Sequence, residues 1–207
     1  MSLTIKCYPL GPLSENTYLI KDDATGLMAV VDPGYFIPDI ADIAGDPSLF
    51  KYILLTHGHY DHFAAAELYE EAFPDAQLAV PAGESRLLSN SLDNKWMAIG
   101  KNYRIENASL YLSEGDKITL GETVLTVIET PGHTEGGICY DTGKEIFTGD
   151  TLFRLSVGNT SLETGNWDDL VNSITDKLYT LDEDRIVYPG HGAATTIGYE
   201  KRANPFV

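Results

Sequence analysis

Within THGHYDH, residues 56–62, three histidines and an aspartate crowd one short segment of a chain that has only five histidines among 207 residues. His57, His59 and Asp61 alternate. A backbone leaving the apolar run ILL in extended form would aim them the same way and aim His62, one position out of step, elsewhere. Imidazole nitrogen and carboxylate oxygen, with no thiolate offered, suit zinc and also iron or manganese. The spacing therefore predicts two adjacent metal centres fed from one strand end.

The other two histidines stand in equivalent places. His133 lies in TPGHTEG and His191 in YPGHG, each at a Pro-Gly turn after an apolar run, and Asp150 closes IFTGD in the same way. Loops just past strand ends are where a site can gather from distant parts of a chain. A lone histidine is more often structural, but a metal site accounts for all five together and leaves none for another duty. Asp32, in VVDPG, has two readings of equal standing: it orients a ligand histidine from behind, or it only shapes a Pro-Gly turn. Cys7 and Cys139 lack metal or redox spacing. Cys139, in GGICY, reads as buried strand, and both are expected to be inert core thiols.

The elements that must position these residues follow from periodicity. LTIKCYPL, NTYLI, MAVVDPG and KYILLTH read as strands, and a helix is expected from about Asp61 to the stop at Pro74. AQLAVP is a strand and AGESRLLS a short helix. Further strands are expected at SLYL, KITL, TVLTVIETPG, GICYD, EIFTGD and RIVYPGHG, and a last helix at IGYEKRAN. Over 167–181, Trp167, Leu170, Val171, Ile174, Leu178 and Leu181 recur on one helical face, with Asn166 as N-cap and Asp168 and Asp169 at the positive end of the dipole. Two successive halves, each of strands then helix, predict two sheets face to face with helices outside, in a single domain spanning 1–207. The irregular stretch 89–108 reads either as a surface excursion or as a lid carrying Lys95, Lys101 and Arg104.

Composition narrows the function. Lys and Arg number 14 against 31 Asp and Glu, a net charge of −17, which argues against a nucleic-acid footprint. No apolar run has the length to span a bilayer and no secretory signal is evident, so a cytoplasmic protein without membrane contact is expected. A small-molecule substrate remains, because the local field of a metal site can outweigh the global charge.

THGHYDH, PGHT, TGD and PGHG, in this order, resemble the metallo-β-lactamase superfamily. The likeness extends to VVDPG and to VYPGHGAATTIGYEKRANPF, and is greatest to the small glyoxalase II-like hydrolases. The resemblance implies an α/β (α+β) fold, an αββα sandwich with the metals at one edge of two mixed sheets. By position it implies that His57, His59 and His133 hold one divalent ion, that Asp61, His62 and His191 hold a second, and that Asp150 bridges them. Zinc comes first, then iron or manganese. Asp61 would also orient the nucleophile. The expected reaction is attack of a bridging hydroxide on the carbonyl of a thioester or ester, with one ion stabilising the oxyanion and the other the leaving group. The bridging Asp150 argues against a β-lactamase. The chain reads Gly158-Asn159-Thr160-Ser161 where such hydrolases carry Gly-Arg-Thr-Asp, so an arginine that could meet a substrate carboxylate is missing.

Rival chemistries share the motifs. A sulfur dioxygenase of the superfamily would use one iron on His57, His133 and Asp150. Lactones and phosphodiesters are further substrates for a paired-metal site. A purely structural metal fits less well, because each centre would keep an open position.

Overall fold

The computed structural model describes residues 2–89 and 104–207. Most of the stretch expected to be an excursion or lid, including Lys95 and Lys101, thus lies outside the described residues. The first sheet has the strand order β1 (Leu3–Leu10), β2 (Glu15–Asp22), β3 (Met28–Val31), β4 (Phe50–Leu54), β5 (Gln77–Pro81), β6 (Leu110–Leu112). Its first two pairings are antiparallel and its last three parallel. The second sheet contains β7 (Lys117–Leu120), β8 (Thr123–Glu129), β9 (Ile138–Asp141), β10 (Glu145–Gly149), β13 (Ile186–Pro189) and β14 (Thr195–Thr196). A small hairpin of β11 (Leu152–Phe153) and β12 (Ser156–Val157) stands apart from both. Its strands are too short to show alternation, and the sequence reading missed it.

The central strands β2, β3, β5, β9 and β10 are buried on both faces because each sheet is covered twice there. Tyr18, Ile20, Val31 and Leu54 meet Leu125, Val127, Tyr140 and Phe147 between the sheets. The opposite face of the first sheet, with Leu19, Val30 and Ile53, packs on α1 (Ile40–Ala44) and α3 (Ala66–Ala72). The outer face of the second, with Cys139, Ile146 and Val187, packs on α5 (Trp167–Asn172) and α6 (Ile197–Ala203). This is the expected mixed α/β sandwich. Asp22, at the end of β2, accepts the Thr25 N–H at 2.9 Å and the Thr123 hydroxyl at 2.8 Å, so it links a turn of the first sheet to the second.

Three local expectations need correction. The helix expected from Asp61 to Pro74 is broken into α2 (Tyr60–Phe63) and α3, because the Ala65 N–H turns aside to the Pro33 carbonyl at 2.9 Å. Along 167–180 the chain is helical with the Asn166 cap in place, but it widens into a π turn at Ser173–Lys177 and tightens at Leu178–Thr180. Leu170, Ile174 and Leu178 are fully buried there, whereas Trp167, in the first turn, overhangs the core and is 44% exposed. Cys139 is buried as expected, but Cys7, on the edge strand β1, is exposed.

Candidate metal centre

The site begins where β3 and β4 end side by side. Asp32, at φ 51°, turns its carboxylate back toward the end of β4. Its Oδ1 accepts the Thr56 N–H and its Oδ2 the Thr56 hydroxyl, both at 2.7 Å. Having given its proton to Asp32, Thr56 Oγ1 can only accept from His57 Nδ1, 3.0 Å away. His62 Nδ1 lies 3.0 Å from the same Asp32 Oδ2. One carboxylate thus orients His62 directly and His57 through Thr56, which decides between the two readings of Asp32 in favour of orientation.

The remaining histidines are held in the same manner. His133 Nδ1 donates to the Asn159 carbonyl at 2.8 Å, and His191 Nδ1 to the Leu13 carbonyl at 3.2 Å. These outer bonds place the free lone pair on Nε2 in His57, His62, His133 and His191, the form a metal needs. His59 faces inward with Nδ1, 3.1 Å from His57 Nε2 and 2.9 Å from His133 Nε2. Three ring nitrogens pointing at one spot are a cation site by donor chemistry. His62 Nε2 sits 3.4 Å from Asp150 Oδ1 and 3.8 Å from Asp61 Oδ2, and His191 Nε2 is 3.5 Å from Asp61 Oδ2. Asp150 Oδ2 lies 3.4 Å from His133 Nε2 and 3.6 Å from His191 Nε2, so this carboxylate touches both groups. The structure therefore brings together all seven residues expected from the sequence: six form the clusters His57-His59-His133 and Asp61-His62-His191, each with ligand atoms within 4.8 Å, Asp150 lies between these two, and Asp32 forms a third such group with His57 and His62.

Two atoms test whether the residues fit a metal. His62 Nε2 and Asp150 Oδ1 are buried and have no hydrogen-bond partner among the described residues. Leaving such groups unpaired costs about 1–3 kcal/mol each, and a cation between them would satisfy both. Gly190 permits the approach: a Cβ there would stand 2.3 Å from Asp150 Oδ1 and 2.6 Å from the His62 ring.

Charge separates the clusters. Burial, together with the neighbouring imidazoles, pushes His57 well below its usual range and His59 down to about 3, and burial also lowers His133. These rings are neutral and ready to ligate. Burial also opposes charge on His62 and His191, but the acids around them, Asp150 and Asp61 with Asp32 beneath His62, outweigh it and raise both. In Asp61 burial works upward, and the His62 and His191 rings hold the carboxyl down to about 2. The acids that draw protons to these two rings would draw a cation in the protons' place.

The alternation argument holds for His57 and His59 but not for Asp61, which lies in the first turn of α2 beside His62 rather than on extended chain. It reaches the second cluster because the helix starts immediately after His59. Sequence reasoning also missed Thr56 and two buried acids. Glu15 Oε2 accepts the Thr17 hydroxyl at 2.9 Å, while Oε1 stands 4.0 Å from His62 Nδ1. Glu84 is wholly buried beside the loops of the first cluster. A buried acid in a short strand or turn has no signature of its own.

A cleft of about 330 Å³ opens over both clusters. His59, Asp61, His133, Asp150 and His191 form its floor, and Leu13, Phe153, Val157 and Leu162 its walls, with Tyr60 and Asn159 between. No lysine or arginine lines it among the described residues. Arg104, at the end of the irregular stretch, pairs with Glu106 at 2.8 Å and lines a separate hollow with Glu67 and Glu70 that holds none of the histidines.

A model of the metallo-beta-lactamase superfamily matches residues 10–191. A probable metallo-hydrolase of Streptococcus pyogenes is 36% identical over 93% of this chain and 85% of its own length. Hydroxyacylglutathione hydrolase GloC of Haemophilus influenzae is 33% identical over 99% of this chain and 98% of its own. Among solved structures, BLEG-1 B3 metallo-beta-lactamase is similar at TM-score 0.87 and 31% identity, over 98% of this chain and 99% of that one. TTHA1623 in a di-iron-bound form is similar at TM-score 0.81 and 31% identity, over 98% of this chain and 100% of that one.

Proposed function

Because the chain belongs to the metallo-β-lactamase superfamily and is related throughout its length to metallo-hydrolases, we propose that it is a binuclear hydrolase of a small thioester or related ester. One observation carries this reading: two ligand clusters stand on either side of Asp150, whose Oδ1 faces His62 Nε2 at 3.4 Å with neither atom hydrogen-bonded. In this reading His57, His59 and His133 hold one divalent ion, Asp61, His62 and His191 hold the other, and Asp150 is shared. When bound, such ions polarise a carbonyl and lower the pKa of water from ~15.7 toward ~7.

The chain's own groups supply the rest. Asp61, held ionised and aimed at the cleft floor, accepts a hydrogen bond from the attacking water and fixes its approach to the carbonyl. Leu13, Phe153, Val157 and Leu162 seat an apolar portion of the substrate and thin the water around the reacting carbonyl. With its histidines engaged in the two clusters, the chain has no Ser-His-Asp set for covalent chemistry, so water is the nucleophile.

A thioester is favoured by the relative named as a hydroxyacylglutathione hydrolase. Among the described residues no lysine or arginine lines the cleft to meet a glutathione carboxylate, so the reading names the thioester bond and not its thiol. Zinc is the first metal to test and iron the second, the latter because of the di-iron form of a similar protein. A mononuclear-iron dioxygenase would use His57, His133 and Asp150 of the same set, so metal content and oxygen uptake separate it from the hydrolase. The likeness to BLEG-1 B3 metallo-beta-lactamase brings a β-lactam back into the substrate panel despite the shared Asp150.

The test is a panel of thioesters, esters, a lactone and a β-lactam offered to zinc- or iron-loaded protein, with oxygen uptake on a persulfide run beside it. Thioester turnover that His59→Ala lowers by a factor of 100 or more supports the reading. Oxygen consumption with no hydrolysis would replace it, and β-lactam turnover above all esters would change the substrate.

A further inference from the structure

Glu84 lies just past β5, in the tight turn Ala82–Glu84, and its side chain is completely buried. Its Oε2 accepts the Gly58 N–H at 2.9 Å and its Oε1 accepts the Gly136 N–H at 2.8 Å. Gly58 stands between His57 and His59, and Gly136 follows His133 by three positions. A single carboxylate therefore spans the two loops that supply the first cluster, in addition to the backbone bond from Ile138 N–H to Thr56 O at 2.9 Å. The fit is close. A Cβ on Gly136 would stand 2.2 Å from the Gly83 carbonyl carbon, and one on Gly58 would stand 2.7 Å from Glu84 Oε2.

We propose that Glu84 is a positioning residue for the His57-His59-His133 cluster, clamping its two loops at the spacing one metal ion requires. The proposal rests on the reading that this cluster holds an ion. Glu84 makes no hydrogen bond to Asp61, His62 or His191 among those described, so its effect should fall on one ion and not the other. The chemistry of the side chain matters: a carboxylate can accept two N–H groups at once, whereas an amide accepts with its oxygen and opposes a second N–H with its own NH2. Glu84→Gln therefore sets donor against donor at one of the two loops. Glu84→Asp keeps the charge and both acceptors but is one methylene too short to reach both.

The test is zinc retention against a chromophoric chelator, read as two binding steps, with melting temperature measured on the zinc-free protein. For Glu84→Gln one step should weaken by 10–100-fold, the range for a group that orients metal ligands, while the other keeps its wild-type value. Glu84→Asp carries the same prediction should the glutamine variant fail to fold. His57→Ala identifies the affected step, since it should remove the same one. Two unchanged steps overturn the proposal. So does equal weakening of both steps alongside a lowered melting temperature, because that is what general loss of structure would give. If His57→Ala retains both ions with wild-type affinity, the cluster is not a metal site and the reading of the function falls first.

Discussion

At the residue scale, the site is a set of five imidazoles, four of which have their outward nitrogens already engaged. Asp32 is the most connected of the groups behind them, with three donors on one carboxylate. Asp32→Asn should cost 10–100-fold in metal affinity by turning an NH2 toward a donor, measured by chelator competition. Thr56→Val should cost less, because it frees only His57. Equal losses in the two variants would mean that Asp32 acts on the fold and not through the rings. All five histidines, Asp61 and Asp150 were legible from type and spacing, since a metal needs many like donors and a short chain has few. Thr56, Glu15 and Glu84 were not. They act by burial and hydrogen bonding, which arise only once distant strands are adjacent.

At the scale of elements, the turns that carry the histidines are held by what packs behind them. Leu170, fully buried in α5, and Ser173, whose hydroxyl donates to the Pro131 carbonyl at 2.7 Å, support the turn before His133. Leu170→Ala should lose about 2–5 kcal/mol of stability in urea unfolding. Asp22 makes the pH dependence predictable. Burial works against its charge, but hydrogen bonds from Thr25 and Thr123 hold its carboxyl at about 2, against an ordinary 3.8. A carboxyl depressed on folding stabilises above its unfolded pKa and loses that contribution as pH falls through the folded one. Asp22→Asn should then be less stable than the parent by about 1–2 kcal/mol at neutral pH, with the gap closing between pH 4 and 2. A gap independent of pH would place the effect elsewhere. Most strands and the 167–181 helix could be read from periodicity. The break between α2 and α3 could not, because the Pro33 carbonyl that causes it is contributed by another strand end.

For the whole molecule, the sandwich places the ends of β3, β4, β10 and β13 at one edge, where the candidate ligands gather. Since ions would bind the folded chain and not the unfolded one, zinc at a thousandfold excess over its Kd should add about 4 kcal/mol, a rise of roughly 8–16 °C in melting temperature for a protein this size. Prior treatment with a chelator should abolish that rise. The two-layer architecture was legible in the sequence as two successive strand-and-helix halves. The order of strands within each sheet was not, since pairing between β10 and β13 joins segments separated by a hairpin and a helix.

We propose that one folded chain holds two divalent ions. It is tested most directly by elemental analysis of protein purified without added metal or chelator, for the parent and for His57→Ala and His191→Ala. Two ions per chain are expected in the parent and close to one in each variant. A parent with a single ion, unaffected by His191→Ala, would contradict it.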